Sequence, residues 1–573
     1  MQTFESFVSW LNGWVWESGF TIGEERLPFV VIALIGTGLY LTFNLGFVQL
    51  RRLGHGIAIT SGKYDDPDEP GDVSHFQALT TALSATVGIG NIAGVAIAIH
   101  FGGPGALFWM WVTAFLGMAT KYTEVTLAQH YRTVSHDSDG KKWEGTVAGG
   151  PMYYIERGLG DKWKPLAIIF AVLLGVTAFM TGNAIQANTV ADSMFTTFGV
   201  PPYVTGLVTS AVVLMVIVGG IGRIGAVTGV LAPAMAGIYV AAALAILAVN
   251  WQAIIPSFLL IFREAFNPTA GIAGTGMGVF LVTMMWGVRR GLFSNEAGQG
   301  SAPIAHAAAK TDEPVSEGVV ALLEPFIDTI VICTLTALVI ITTGVWQDRV
   351  TTEILLTGGD LSYVENNDRN GVSPVDIPST TIAYENGMSP SGALGEARIA
   401  WHEVPVEQLF IDEGMSQPFT GTIDPGAGVA TARSGETYES LWGAAVESGA
   451  PLTMMGFRQG LPGNWGDMIV LVSVLLFAIS TAISWSYYGD RCAYYLFGTG
   501  ALMPYKLVYV LMHFVGAVVP LASVWALGDV LLGMVILPNL LALIMLTPKV
   551  KELTNSYFER QPWLEAEKRR TGN

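Results

Sequence analysis

The stretch TALSATVGIGNIAG, Thr81 to Gly94, places Gly88, Gly90, Gly94 and a lone Asn91 in the middle of an apolar run. A membrane-spanning helix would fill such positions with leucine, since glycine weakens a helix by about 1 kcal/mol relative to alanine. Unwinding at membrane depth also strands backbone N–H and C=O groups, which is costly unless something satisfies them. A helix built this way is either broken to hold a ligand or kept weak so that a neighbour can approach closely.

The membrane follows from composition. Of 573 residues, 51% are hydrophobic and 13% charged, against about 25% charged in soluble proteins. Apolar runs such as LPFVVIALIGTGLYLTFNLGF (27–47) and WALGDVLLGMVILPNLLALIML (525–546) are each long enough to cross a bilayer. The fold expected is an all-α polytopic membrane protein. The N-terminal segment 1–26 has acidic residues where a signal peptide would be basic, and Trp10, Trp14 and Trp16. It predicts no cleavable signal, but an interfacial helix with tryptophans at headgroup depth. Cys333 and Cys492 imply neither a disulfide framework nor a metal site.

Eleven spans are expected, near 27–49, 76–99, 105–128, 163–192, 203–221, 228–248, 272–306, 317–343, 465–497, 504–526 and 528–546. Arg51, Arg52, Lys141, Lys142, Arg223, Lys310, Arg491, Lys506 and the tail KRR (568–570) then share one side. The positive-inside rule makes that side cytoplasmic, with the N-terminus outside and the C-terminus inside a cell (inner or plasma) membrane. Residues 27–346 and 465–548 form the membrane domain, and 549–573 a cytoplasmic tail. Between them, 347–464 carries sixteen Asp/Glu against five Arg, a net of −11 out of −17. Its alternating segments, such as ARIAWHEVPVEQLFID (397–412), predict a small β-rich extracytoplasmic domain with a solvated acidic surface.

Setting aside the first span leaves two sets of five, about 76–248 and 272–546. The first helix of each set is interrupted: SATVGIGNIAG in one, WGVRRGLFSNEAGQG (286–300) in the other. Matched interruptions in two halves point to a transporter site, and the odd offset makes the repeats inverted. Close-packing glycines would explain either stretch alone, but not both at matched positions beside Asn91, Asn295 and Glu296. A zwitterionic amino acid and a cation suit such breaks. The carboxylate takes N–H groups near Ile89, Gly90 and Asn91 at a positive helix start, while carbonyls near Ser84 and Val87 hold Na⁺.

These residues resemble a known family. TTALSATVGIGNIAGVA (80–96), RRGLFSNEAGQGSAPIAHAAA (289–309), GNAIQANTVAD (182–192) and FAISTAISWSYYGDRCAYYLFG (477–498) look like the signature blocks of the alanine or glycine:cation symporters. The resemblance fails across 347–464. It implies a LeuT-type five-plus-five inverted repeat with one extra N-terminal helix, and Na⁺-coupled uptake of alanine or glycine, with H⁺ in some members.

Within this frame Asn183, Gln186 and Asn188 are amides inside a span. Asn183 and Gln186, three apart, share a face and can hold an ammonium or a carboxylate; the plainer role is glue between helices. Ser480 and Thr481 offer hydroxyls to Na⁺, or bond back to their own helix, and Trp485 caps a small pocket with Trp286. Thr283 and Met285 line it. Arg290 and Glu296 are ionisable at membrane depth; Arg290 is expected to pair with Glu296 or Glu124 in a gate. His306 reads as a packing residue.

No H-E-x-x-H, G-x-S-x-G or P-loop supports an enzyme. The chain reads as a carrier of a small neutral amino acid surrounded by membrane lipid, with no nucleic-acid partner and no obligate protein partner evident. The alternatives are an H⁺-coupled carrier, or a non-transporting sensor that uses the outer domain. Neutral oxygens at Ser480 and Thr481 favour Na⁺, whereas an intramembrane carboxylate at the coupling site would favour protons.

Overall fold

The computed structural model describes residues 8, 10–22, 25–66, 68–134, 147–267, 277–357, 361–366, 372–375, 377–389, 397–519 and 521–571. Lys141 and Lys142 of the charge pattern lie outside them. Six described helices are long and apolar enough to cross a membrane: 161–198, 220–249, 314–343, 465–497, 499–518 and 527–560. Two bent pairs raise the number to eight: Phe29–Asn44 with Val48–Thr60 (77°) and His75–Thr86 with Gly90–Gly102 (53°). This is a polytopic helical membrane protein.

The remaining three expected spans are helical but fail on length or apolarity. Pro202–Ile217 is apolar but short. Ala106–Tyr131 is long but too polar, because its C-terminal part reads KYTEVTLAQHY. Met277–Asn295 stops at a turn before Ala302–His306. It nonetheless packs tightly on Ala106–Tyr131, since a Cβ on Gly287 would lie 2.4 Å from the Ala106 carbonyl oxygen. That close approach is what a small residue between helices provides.

The N-terminal segment differs from expectation at Trp16. Trp10 and Trp14 are exposed, but Trp16 is buried, its indole N–H donating to the Asp529 carbonyl at 3.0 Å. Gly19–Ile22 and Glu25–Pro28 pair antiparallel, Gly19 opposite Pro28, and deliver the chain to the first span.

Between Arg349 and Val446 the described residues form three antiparallel sheets around a separate apolar cluster that includes Ile354, Ile399, Leu409, Phe419, Ile423 and Leu441. The longest pair runs Ser440–Val446 against Arg349–Leu355, with Arg349 opposite Val446. The strands end sooner than the acidic stretch does. Gly449–Gly460, expected within the outer insertion, is a helix of the bundle: Thr453 Oγ1 donates to the Ile92 carbonyl at 2.9 Å and Phe457 packs on Tyr239. The acidic stretch before it hid a face that buries Leu452, Thr453 and Phe457. The strands touch the bundle where the His402 carbonyl meets His100 Nε2 at 2.8 Å.

Candidate functional site

The first break is built by a helix that starts firmly and stops early. Ser74 and Gln77 form a capping box, and the helix ends at Thr86, with Val87 at φ −73°, ψ 86°. Asn91 then caps the unwound residues, its Oδ1 accepting from the Gly88 N–H at 2.8 Å. Its Nδ2 donates to Asp328 Oδ1 at 2.6 Å, to the Asp328 carbonyl at 3.1 Å and to Ser294 Oγ at 3.1 Å. The chain itself thus occupies both ends of this amide, and Asn91 ties the break together instead of facing a ligand. Ile89 and Gly90 are buried beside it; a Cβ on Gly90 would come within 3.0 Å of Phe293, so the second broken helix runs close by.

Of the residues expected near a cation, Ser84, Ser480 and Thr481 lie together. Thr481 Oγ1 donates to the Ser84 carbonyl at 3.0 Å and lies 3.3 Å from that of Ala85. Ser480 Oγ bonds its own helix at Phe477 O, 2.9 Å, and lies 3.4 Å from Ser84 O. Val87 is buried at the end of the same turn. Two polar atoms here are buried with no hydrogen-bond partner, Ser84 Oγ and Gln186 Oε1. A Cβ on Gly88 would sit 2.7 Å from Thr481 Oγ1 and 3.7 Å from Gln186 Oε1, which places Gln186 and Thr481 on the same side of the break.

Asn183 does not join them. A π-turn at Met180–Ala184 rotates it away from Gln186, and its Nδ2 donates to the Tyr509 carbonyl at 2.7 Å while His513 Nδ1 lies 2.6 Å from its Oδ1. Asn188 likewise donates to the Gly516 and Val519 carbonyls. Both amides are interhelical ties. Spacing by three fails to predict a shared face because a π-turn inserts one residue into the helix register.

The second break occupies the C-terminal part of the stretch 286–300. Trp286 to Asn295 is continuous helix, and the turn is 296–301. Asn295 Oδ1 accepts from the Ala297 N–H at 3.0 Å, and Glu296 adopts φ +56°. Glu296 accepts from Trp485 Nε1 at 2.9 Å and from Ser301 Oγ at 2.5 Å. Arg290 therefore has neither expected partner. It pairs with Asp529 Oδ2 at 3.3 Å, which Arg289 also reaches at 2.6 Å. Asp529 was passed over because it lies more than 200 residues from both arginines, as the sequence shows. Thr283 donates to the Gly102 carbonyl at 2.8 Å, Trp286 stacks on Phe101 with centroids 4.5 Å apart, and Met285 is half-buried between them in sequence. Thr283 and Trp286 thus lie at the C-terminal end of the first broken helix, not at the break itself.

Several buried charges had no local signature. Asp328 accepts from Asn91, from Ser294 Oγ at 2.6 Å and from Thr329 Oγ1 at 2.7 Å, joining both broken helices. Glu124 accepts from the Gly300 N–H at 3.1 Å and Asn539 Nδ2 at 2.5 Å. His306 is no packing residue: its ring lies 2.5 Å from both Glu317 and Glu324, Glu317 also meets His75, and Glu324 pairs with Lys121 at 3.0 Å. Each partner is distant in sequence or on another helix, so only the fold brings them together.

A family model described as the sodium:alanine symporter family matches residues 1–364 and 402–570. The gap, 365–401, is narrower than the 347–464 over which the resemblance was expected to fail. The chain is similar to the sodium/alanine symporter AgcS of Methanococcus maripaludis, 38% identical over 558 residues, which covers 97% of this chain and 98% of that protein. It is similar to the putative sodium/proton-dependent alanine carrier protein YrbD of Bacillus subtilis, 31% identical over 561 residues, 97% of this chain and 92% of that one. It is also similar to the probable sodium/glutamine symporter GlnT of Bacillus subtilis, 36% identical over 333 residues, 58% of this chain and 66% of that one. Such relatives are transporters and not enzymes, and with the spans above they make this a multi-pass, cation-coupled amino-acid transporter: the chain belongs to the sodium:alanine symporter family.

Proposed function

We propose that the chain imports a small neutral amino acid, alanine or glycine, together with Na⁺, by alternating access around the first break. The observation that carries this is the pair of buried, unpartnered polar atoms there, Gln186 Oε1 and Ser84 Oγ. Leaving such groups unsatisfied costs about 1–3 kcal/mol each, which an ammonium group and a cation would recover. Gln186 Oε1 takes the ammonium, and the backbone at Ile89 and Gly90 takes the carboxylate. Na⁺ sits between Ser84 O, Val87 O, Ser480 Oγ and Thr481 Oγ1, the neutral Thr481 hydroxyl turning its O–H away from the Ser84 carbonyl so that its oxygen faces the ion. By linkage, each ligand then raises affinity for the other. The ten core helices form two inverted sets of five, and access alternates as helices drawn from both sets shift about the break, with the strands and the N-terminus outside and the C-terminus in the cytoplasm.

Alanine in the printed names of AgcS and YrbD supports the substrate class. Trp485, buried against Gly182, narrows the pocket to small side chains, although one methylene discriminates by only about 1–3 kcal/mol. A second reading, H⁺ coupling, is favoured by Asp328, a buried carboxylate at the junction of both broken helices whose hydrogen bonds come from neutral donors.

The test is uptake of tritiated alanine into proteoliposomes under an inward gradient of Na⁺, of K⁺ or of H⁺ alone. Accumulation with Na⁺ only, lost in Gln186→Leu, supports the reading. Accumulation with H⁺ alone moves the coupling to Asp328. No accumulation of alanine or glycine under any gradient, from folded protein, removes the substrate claim.

A further inference from the structure

A cavity of about 240 Å³ opens where the elbow after the first span meets helix Leu521–Arg560. The chain enters it by a sharp turn: Gly46 and Phe47 take φ of +61° and +56°, and Val48–Thr60 then leaves the span at 77°. Leu45, Val48 and Phe558 form an apolar floor, while Arg51, Arg52, Asn555 and Glu559 line the rest. Arg52 lies over the Phe558 ring, 3.5 Å from guanidinium carbon to centroid, which fixes its charge at the mouth. Arg51 is exposed, with Nη1 donating to the Gly46 carbonyl at 3.3 Å.

On the same elbow Phe43 and Leu50 are 65% and 69% exposed, and Phe47 is 38% exposed. Large apolar side chains left open beside a cationic cleft, on a bundle that spans a membrane, fit acyl chains lying below a headgroup.

We propose that this cavity binds one anionic phospholipid. The phosphodiester sits between Arg51 and Arg52, the Asn555 amide donates to it, and the acyl chains run along Phe43, Phe47 and Leu50. Two arginines against Glu559 leave a net single positive charge in the cleft, which suits a phosphodiester monoanion better than a doubly charged phosphate monoester. The site is independent of what the chain transports.

The test is native mass spectrometry of the full chain released from detergent with phosphatidylglycerol or phosphatidylcholine of matched acyl chains. The wild type should retain one phosphatidylglycerol at concentrations where phosphatidylcholine is lost. Arg51→Gln with Arg52→Gln should weaken that retention roughly 30-fold. Asn555→Glu leaves the Arg52–Phe558 contact in place and should weaken it as well, so a misfolded double variant does not decide the outcome. Equal retention of the two lipids by the wild type, or unchanged phosphatidylglycerol retention in both variants, overturns the proposal. So does complete displacement of the lipid by equimolar inorganic phosphate, which would make the cleft an ion site without lipid character.

Discussion

The two broken helices solve the same backbone problem with opposite chemistry. At the first break, Ser84 and Ala85 carbonyls meet the Thr481 hydroxyl, Asn91 caps Gly88, and two polar atoms remain without partners. At the second, the 296–301 turn is clamped by the scaffold: Glu124 holds the Gly300 N–H, Asn539 holds the Gly298 carbonyl at 2.9 Å, and Trp485 and Ser301 hold Glu296. Glu124 Oε2 and Gln299 Oε1 are without partners there too, so the contrast lies in the backbone: carbonyls met only by a hydroxyl can exchange that partner with a ligand. One whose backbone is anchored by Glu124 and Asn539 is a fixed turn.

The largest effect should come where the two breaks meet. Asn91→Ala removes a donor from the buried Asp328 carboxylate and the cap from Gly88, a loss of about 3 kcal/mol. Amino-acid uptake at fixed Na⁺ should then fall roughly a hundredfold in apparent affinity. An unchanged half-saturation would mean that the first break does not depend on its link to the second.

Rigidity can be tested next. Gly300 has φ +74°, and a Cβ there would fall 2.4 Å from Pro151 and 2.9 Å from Phe170. Gly300→Ala should destabilise the protein by about 2–4 kcal/mol. In contrast, Gly94→Ala finds its nearest atom at 3.9 Å and should leave thermal unfolding in detergent nearly unmoved. If both variants unfold alike, the contrast between a clamped and an open break is lost.

Thr481→Val keeps shape and removes one hydroxyl, at about 1 kcal/mol. The half-saturating Na⁺ concentration for uptake should rise several-fold while uptake at saturating Na⁺ is retained; equal loss at all Na⁺ concentrations would argue for a packing role.

The smallest effect concerns the strands. Burial lowers the His402 pKa from 6.5 to about 4, with Glu447 at 3.9 Å, Glu403 adjacent and the His100 ring opposite. Its neutral form stabilises this contact fully above pH 6.5, and the contribution falls away as pH drops toward 4. The hydrogen-exchange protection factors of the Ala397–Trp401 strand, relative to the intrinsic rate at each pH, should be lower near pH 5 than at neutral pH, while those of Ala106–Tyr131 are unchanged. Parallel changes in both would place the sensitivity elsewhere.

The first break could be read because its signal is local: glycines and an asparagine where leucine belongs. The second could be placed within 286–300 but not narrowed, because Gly287 and Gly291 serve helix packing and the turn begins only at Glu296. Gln186 and Thr481 are brought together as expected, but Asn183 is not, since a π-turn shifts its register invisibly. The Arg290 partner and the Lys121, His306 and His75 pairs join residues from separate helices, and a single sequence carries no mark of such pairs. Gly449–Gly460 was missed because it is short and follows an acidic stretch.

The linked charges Lys121, Glu324, His306, Glu317 and His75 also have a mechanical consequence. Separating any of them strands a buried charge, at about 3–5 kcal/mol, so the helices they join must travel as one casting. Where His75–Thr86 meets Trp465–Phe497, the bonds near Ser84 are neutral and individually weak. That contact is a slip plane, and a cation lodged between Ser84 and Thr481 would act as its clutch, engaging the two surfaces only when loaded.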